Sequence, residues 1–120
     1  MNQEVKTILD TITVGEDAVP NALLYFDGVA DTFILYSPSN ESVGLAGDDT
    51  PLALVEGWDI DLYSKNNYVA LSKQIKKAFI DAGWVYRGSG VDTYDEATKL
   101  YHRLMEFSKE GDTSFLTEEA

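Results

Sequence analysis

The sequence of 120 residues has no cysteine, one histidine and no long apolar run. Without cysteine it can form no disulfide framework, no thiolate metal site and no cysteine nucleophile. With His102 alone it cannot form a histidine-rich metal cluster. No apolar stretch reaches the ~20 residues that span a bilayer, and the residues after Met1 lack the pattern of a signal peptide. These features predict a soluble protein that is made and kept in a reducing cytoplasm.

Basic residues are also scarce, and the sequence is therefore strongly acidic. Twenty-one Asp and Glu residues stand against nine Lys and Arg, for a net charge of −12. Residues 1–60 contain a single base, Lys6, so most of the negative charge lies in this half. Such a chain has no basic stripe with which to bind phosphates, and anionic membranes would repel it. The excess charge can serve solubility, or it can repel DNA or meet a basic partner.

The apolar residues, 44% of the chain, suffice for one core, and the sequence contains no repeat and no linker rich in Pro and Gly. We therefore predict a single domain over 1–120, with a mobile acidic tail over 110–120. Hydrophobic periodicity predicts two helices, over 3–12 and 68–82. Strands are predicted over 32–36, 52–63, 84–87 and 99–107, with 42–46 pairing back against the first. This order predicts an α+β fold, a mainly antiparallel sheet flanked by two helices.

The last predicted strand carries large side chains on both faces. One face has Leu100, His102 and Leu104, and the other has Tyr101, Arg103, Met105 and Phe107. If the helices cover one face, Tyr101, Met105 and Phe107 need a second cover, which favours a subunit interface over packing within the monomer. On this hypothesis Phe107→Asp abolishes assembly and leaves a folded monomer, whereas unfolding would place Phe107 in the core.

No group of residues in the sequence predicts catalysis, a metal site or a cofactor site. Asp59 and Asp61 share a strand face, but no further ligand lies nearby in the sequence, so a solvated or inter-subunit face is the better interpretation. His102 lies within a strand and is more typical of a packed or hydrogen-bonded histidine than of a catalytic base. Gly88-Ser89-Gly90 matches neither a phosphate-binding loop nor a nucleophile elbow. We therefore expect a protein that is not an enzyme.

The middle and end of the chain resemble a family of bacteriophage proteins. The resemblance is carried by the stretch from Glu56-Gly57-Trp58-Asp59-Ile60-Asp61-Leu62-Tyr63 to Tyr68, the helix up to Ala82-Gly83-Trp84, then Tyr94 and the strand Thr98 to Phe107. Together these look like the small tail-terminator proteins of long-tailed bacteriophages, also called tail-completion, head–tail joining or minor capsid proteins. The likeness covers residues 19–107, and it depends on element order and a few aromatic positions.

The resemblance implies a virion structural protein at the head–tail junction. Its copies would close into a ring, usually a hexamer, that caps the tail tube and stops its polymerisation. The implied partners are other copies of the chain, the tail tube protein and the head-completion or connector protein, with double-stranded DNA passing through the lumen without specific binding. A ring of head-to-tail contacts needs two different patches on each subunit, and carboxylates around the lumen would let DNA slide without sticking.

We predict two sets of site residues from this interpretation. The expected subunit-interface anchors are Tyr63, Tyr101, Met105 and Phe107. The expected acidic residues facing the lumen or a partner are Asp48, Asp49, Asp59, Asp61, Asp92, Asp95 and Glu96. An alternative class is an acidic protein-binding module, such as a DNA mimic or immunity-type inhibitor, which would form a salt-sensitive complex with a basic protein. A small hydrolase using His102 or the two strand aspartates is a further alternative without support in the sequence.

Overall fold

A computed structural model describes residues 2–28, 30–45, 52–66 and 68–110, with the side chains of residues 2, 40–45 and 52–54 excepted. Within these ranges there are two helices and eight strands. The elements are α1 (Asn2–Leu9), β1 (Thr13–Val14), β2 (Asp17–Ala18), β3 (Asn21–Leu23), β4 (Thr32–Leu45), β5 (Leu52–Ser64), α2 (Tyr68–Asp81), β6 (Val85–Ser89), β7 (Thr93–Asp95) and β8 (Leu100–Glu110). None of the helices in these ranges is long and apolar enough to cross a membrane.

The sheet is built around the long antiparallel strands β4, β5 and β8. The strand order is β3-β4-β5-β8-β6, and β7 also pairs with β8. β3 lies parallel to β4, and the other pairs of this sheet are antiparallel. The α+β class and the mainly antiparallel sheet are thus confirmed. β1 and β2 form a small separate hairpin, which Gln74 of α2 holds by hydrogen bonds to both the backbone N–H and the carbonyl of Thr13.

Both helices pack on one face of this sheet and bury its apolar side chains. Side chains alternate between the two faces of a strand, and the even-numbered residues of β5 from Trp58 to Leu62 are buried. α1 contributes Val5 and Leu9 to this core, and the segment after α1 contributes Ile12. α2 contributes Leu71, Ile75 and Phe79. α2 ends before Gly83, whose φ of +94° is a left-handed conformation that glycine adopts without steric cost.

The faces of β8 are reversed relative to the sequence-based hypothesis. Met105 lies opposite Ile60 and Phe107 lies opposite Trp58 in the register with β5, so both share the helix-covered side. Both are fully buried, and the Phe107 ring stacks on Phe79 at 4.4 Å between ring centroids. The prediction of Met105 and Phe107 as interface anchors is therefore wrong, because α2 already supplies their cover.

Some predicted element boundaries are also wrong. A strand ending at Tyr36 and pairing back through 42–46 was expected from Pro38 and its neighbours, but β4 continues to Leu45. The irregularity takes the form of a register shift between Pro38 and Asn40, and the whole strand pairs with β5. Proline has no backbone N–H and cannot donate a hydrogen bond to the neighbouring strand. A bulge accommodates such a residue while the strand continues beyond it. β8 likewise extends to Glu110, and the rest of the predicted tail lies outside the described residues.

Candidate functional site

The face of the sheet turned away from α1 and α2 has no helix over it in the described ranges, and we call it the open face. It is formed by the odd-numbered residues of β5 and the even-numbered residues of β8, because side chains alternate along each strand. The open face carries Phe33 and Leu35 of β4, Asp59, Asp61 and Tyr63 of β5, and His102, Leu104 and Glu106 of β8. These side chains are partly exposed, in contrast to the buried residues on the other face.

A row of four stacked rings crosses the open face from strand to strand. The register sets Phe33 opposite Tyr63, and Tyr63 opposite His102. Neighbouring strands lie ~4.8 Å apart, which is the spacing at which flat rings stack. The ring centroids are 4.9 Å apart for Phe33–Tyr63 and 4.4 Å for Tyr63–His102, and Phe26 extends the row at 4.8 Å from Phe33. The result is a rigid aromatic floor held in place by strand pairing.

Beside this floor lies an open apolar cavity of about 480 Å³. Its walls come from the loop after β3, from β4, and from the β7–β8 end of the sheet; among its lining residues are Leu24, Tyr25, Leu35, Thr98 and Leu100. Leu24 and Tyr25 are 66% and 71% exposed. Leu24 also has a φ of +65°, a conformation that is unusual for a leucine and costs free energy. Strain and exposed apolar surface at one place are typical of a contact site.

The other part of the open face is acidic. Asp59 lies directly opposite Glu106 in the register of β5 and β8, and Asp61 is the next residue of β5 on the same face. The Oδ1 atom of Asp59 is buried and has no hydrogen-bond partner among the described residues. Burial raises the pKa of the Asp59 carboxyl, and the negative charges of Glu106 and Asp61 raise it further. The fold thus brings together acids that repel one another.

The aromatic and acidic parts meet at His102. Its Nε2 atom lies 2.7 Å from Oδ1 of Asp61, and both side chains are partly buried. This confirms the interpretation of His102 as a hydrogen-bonded histidine and identifies its partner. Within the described ranges, no group of three or more acidic or histidine side chains is arranged to hold a metal ion.

The structure separates the predicted interface anchors. Tyr63 lies in the aromatic row on the open face, where burial, and then the charge of Asp61, raises the pKa of its phenol. Tyr101 lies on the other side of the sheet, stacked on Tyr68 and tilted by 51° against the ring of Tyr94, and is 37% exposed. Both are therefore accessible to another molecule, but on different surfaces.

The predicted acidic residues are also divided. Asp59 and Asp61 share the open face, while Asp95 and Glu96 are exposed at the β7 end, where Asp95 also lines the rim of the aromatic cavity. Asp92 differs from them because both of its carboxylate oxygens accept hydrogen bonds from Arg103, at 2.9 and 2.8 Å. Asp92 therefore has a contact within the subunit, and its orientation toward a lumen or partner stays a prediction. Asp48 and Asp49 lie outside the described residues.

Sequence reasoning missed the loop after β3 and the contribution of β4. The run Leu23-Leu24-Tyr25-Phe26 was not recognised as a surface feature, although four apolar residues in a row outside a helix are a signal. In β4, Phe33 and Leu35 lie on the face opposite Ile34, so the strand is apolar on both faces. Such a pattern indicates that each face packs against other protein groups. Glu106 was missed because its pairing with Asp59 depends on the register of distant strands.

Comparison with known proteins gives limited similarity. No protein-family model matches the chain, and no protein of curated function matches it. Among solved structures, it is similar to a chain from the "Virion of native gene transfer agent (GTA) particle", at 18% identity and a TM-score of 0.48, over 88% of this chain and 82% of that chain. At this level of similarity the match assigns the chain neither to a family nor to a function.

Proposed function

We propose that the protein is a virion structural protein of the tail-terminator type. Its copies form a ring, a hexamer in the resembled family, on the last ring of a tail tube. The ring stops tube growth, joins the tube to a head connector and lets DNA pass. On this proposal the chain works by binding other protein surfaces and catalyses no reaction.

The observation that carries the proposal is the apolar end of the open face. An exposed apolar loop, a row of stacked rings and an open cavity lie together there, on a protein whose core is already complete on the other side of the sheet. Exposed apolar patches bounded by polar residues are typical of protein–protein contact sites. The sequence resemblance over 19–107 supplies the kind of contact, namely self-assembly into a ring.

The acidic end of the open face supports the proposal that DNA passes through the ring. Asp59, Asp61 and Glu106 concentrate negative charge on one surface, and the whole subunit is strongly acidic. We propose that this surface, together with the predicted acids Asp48 and Asp49, borders the lumen of the ring. Like charge would keep DNA phosphates from binding there. A ring whose lumen is neutral or basic would contradict this assignment.

A genetic and microscopic experiment tests the proposed function. In a particle-producing strain that lacks this protein, we expect tail tubes of uncontrolled length that are not joined to heads, as seen by electron microscopy. Supplying the wild-type protein should restore tubes of uniform length. Supplying Leu24→Asp should not, because the substitution places a charge in the exposed apolar loop.

Ile80→Asp is the matched control. Ile80 is 52% exposed, comparable to Leu24, but belongs to α2 on the other side of the sheet. It should restore tails if the open face makes the essential contact. Normal tails in the strain without the protein would contradict the proposed function, and equal defects in the two variants would contradict the assignment to the open face.

The carboxylates of the open face also favour a second candidate, the acidic protein-binding module. In that case the protein stays monomeric and binds a basic, nucleic-acid-binding protein through Asp59, Asp61 and Glu106. A pull-down at low and high salt decides the matter: a specific basic partner released by salt would favour the module.

A further inference from the structure

We propose that the aromatic cavity of one subunit binds Phe115 and Leu116 of a neighbouring subunit. The inference rests on the proposed function, because it names the contact that joins consecutive copies in the ring. The cavity is the part of the open face lined by Leu24, Phe26, Phe33 and Leu100. Its occupant is taken from residues 111–120, which lie outside the described part of the chain.

The chemistry of the cavity selects an apolar occupant. Its floor is the row of stacked rings, and its walls include leucines from β4 and β8. Residues 111–120 are polar or small except for Phe115 and Leu116. An adjacent aromatic and aliphatic pair in a polar segment is the pattern of an anchor, in which a few buried side chains supply most of the binding free energy.

The geometry of β8 separates this segment from the cavity of its own subunit. The segment follows Glu110 at one end of β8, and the cavity lies at the other end, beside Leu100 and His102. The near edge of the cavity is Leu35, which the register sets level with Leu104, six residues or ~20 Å along the strand from Glu110. To return along its own strand the chain must first reverse direction, which uses about two residues, and the remaining residues up to Leu116 then span at most ~14 Å. The anchor therefore fits the cavity of a different copy.

A nearer cavity exists on the same subunit, but its chemistry differs. It is lined by polar and charged side chains that include Ser39, Arg87 and Glu106. An apolar pair gains little there, because the charged groups would lose water without gaining a partner. The aromatic cavity is thus the better match. A contact between an anchor at one end of a subunit and a cavity at the other is head-to-tail, the arrangement that closes into rings.

The absence of native cysteine makes a disulfide test direct. Thr98→Cys places a thiol at the exposed rim of the cavity, and Ser114→Cys places one beside Phe115. The full-length chain carrying both should give, on mild oxidation, a ladder of covalent oligomers on a non-reducing gel. Each single variant can give no more than a dimer, because one cysteine forms one bond.

Three further chains complete the test. Thr7→Cys with Ser114→Cys is the matched control, because Thr7 is an exposed threonine of α1 on the other side of the sheet. Ser39→Cys with Ser114→Cys tests the nearer cavity of the same subunit. Adding Phe115→Ser and Leu116→Ser to the double variant should reduce the ladder about tenfold or more, since the buried apolar area is lost. Circular dichroism verifies that the substituted chain is folded.

The outcomes separate this inference from the proposed function. A ladder that depends on Phe115 and Leu116 supports the inference. A ladder no stronger than that of the Thr7 control, or an internal disulfide within single chains, overturns it. If the wild-type protein still assembles and terminates tails in that case, the proposed function stands and only the contact is wrong. If it does neither, both fail.

Discussion

Phe107 is the residue on which the core of this protein most clearly depends. Its ring is fully buried, stacked on Phe79, and in contact with Tyr86. We expect Phe107→Ala to lower the free energy of unfolding by about 3–5 kcal/mol, since it removes a buried ring and leaves a cavity. We expect Tyr101→Ala, at a partly exposed ring, to cost less. Urea unfolding of the two variants provides the measurement, and Phe107→Asp should leave no folded monomer. Similar losses for both alanine variants would contradict the complete burial of Phe107 and the partial exposure of Tyr101.

Asp59 is expected to destabilise the isolated subunit near neutral pH. Its pKa is raised above 3.8, first by burial and then by the charges of Glu106 and Asp61. The folded state therefore binds the carboxyl proton more tightly than the unfolded state does. The free energy of unfolding falls as the pH rises from below the pKa of Asp59 in the unfolded chain through its raised pKa in the folded protein. Asp59→Asn should increase the free energy of unfolding at about pH 7 and change it little at about pH 3, as measured by urea unfolding. Asp17→Asn, at an exposed aspartate of β2, is the matched control for the effect of the substitution alone. A destabilised Asp59→Asn protein at neutral pH would show that the charged form makes a favourable contact.

At the scale of elements, an ion pair joins the loop before β7 to β8 and α2. Arg103 of β8 donates hydrogen bonds to both oxygens of Asp92 and to the hydroxyl of Ser72, and the Tyr68 hydroxyl donates to Asp92. These hydrogen bonds, that from Arg103 most strongly, hold the pKa of Asp92 below 3.8. Asp92→Asn should destabilise the protein by about 1–3 kcal/mol at neutral pH, because Arg103 loses its charged partner.

The pH dependence gives this pair its own test. Because the pKa of Asp92 is lowered in the folded protein, its carboxylate stabilises the fold at pH values above the pKa of the unfolded chain. This contribution is lost as the pH falls below 3.8. The difference in unfolding free energy between the wild type and Asp92→Asn should therefore shrink on acidification. Asp95→Asn, at an exposed acid that caps only its own turn, should show a much smaller difference at any pH. A constant difference for Asp92→Asn would mean that its effect does not come from the carboxylate charge.

Among the elements, some could be predicted from patterns in the sequence and others could not. Regular periodicity predicted α2 to within one residue of its observed end and gave the correct faces of β5, because a buried face forces apolar residues to recur at a fixed spacing. The faces of β8 could not be assigned in this way, since large side chains occupy both. The decision depends on the register that sets Phe107 opposite Trp58. The site could not be predicted from the sequence for the same reason. The aromatic row joins residues from a loop and three strands, and only the pairing of those strands makes the residues neighbours.

For the whole molecule, net charge and apolar surface make opposing contributions to assembly. Each subunit carries a charge of −12, so copies repel one another, while the exposed loop and aromatic cavity favour contact. Salt screens the repulsion, with a Debye length of about 10 Å at 0.1 M that shortens further at higher salt, and leaves apolar contacts intact. The balance between the two terms should therefore shift toward assembly as salt is added.

We accordingly expect self-association to strengthen as sodium chloride rises from about 50 mM to about 500 mM, measured by sedimentation velocity at several protein concentrations. Chloride is preferred to sulfate, because sulfate also strengthens apolar burial and would confound the result. Replacing both Asp48 and Asp49 with asparagine should reduce the salt dependence if these acids face one another across a lumen. Complexes between an acidic module and a basic partner must respond in the opposite direction, since screening removes their attraction. The sign of the salt effect thus distinguishes assembly of like-charged copies from binding to a basic protein.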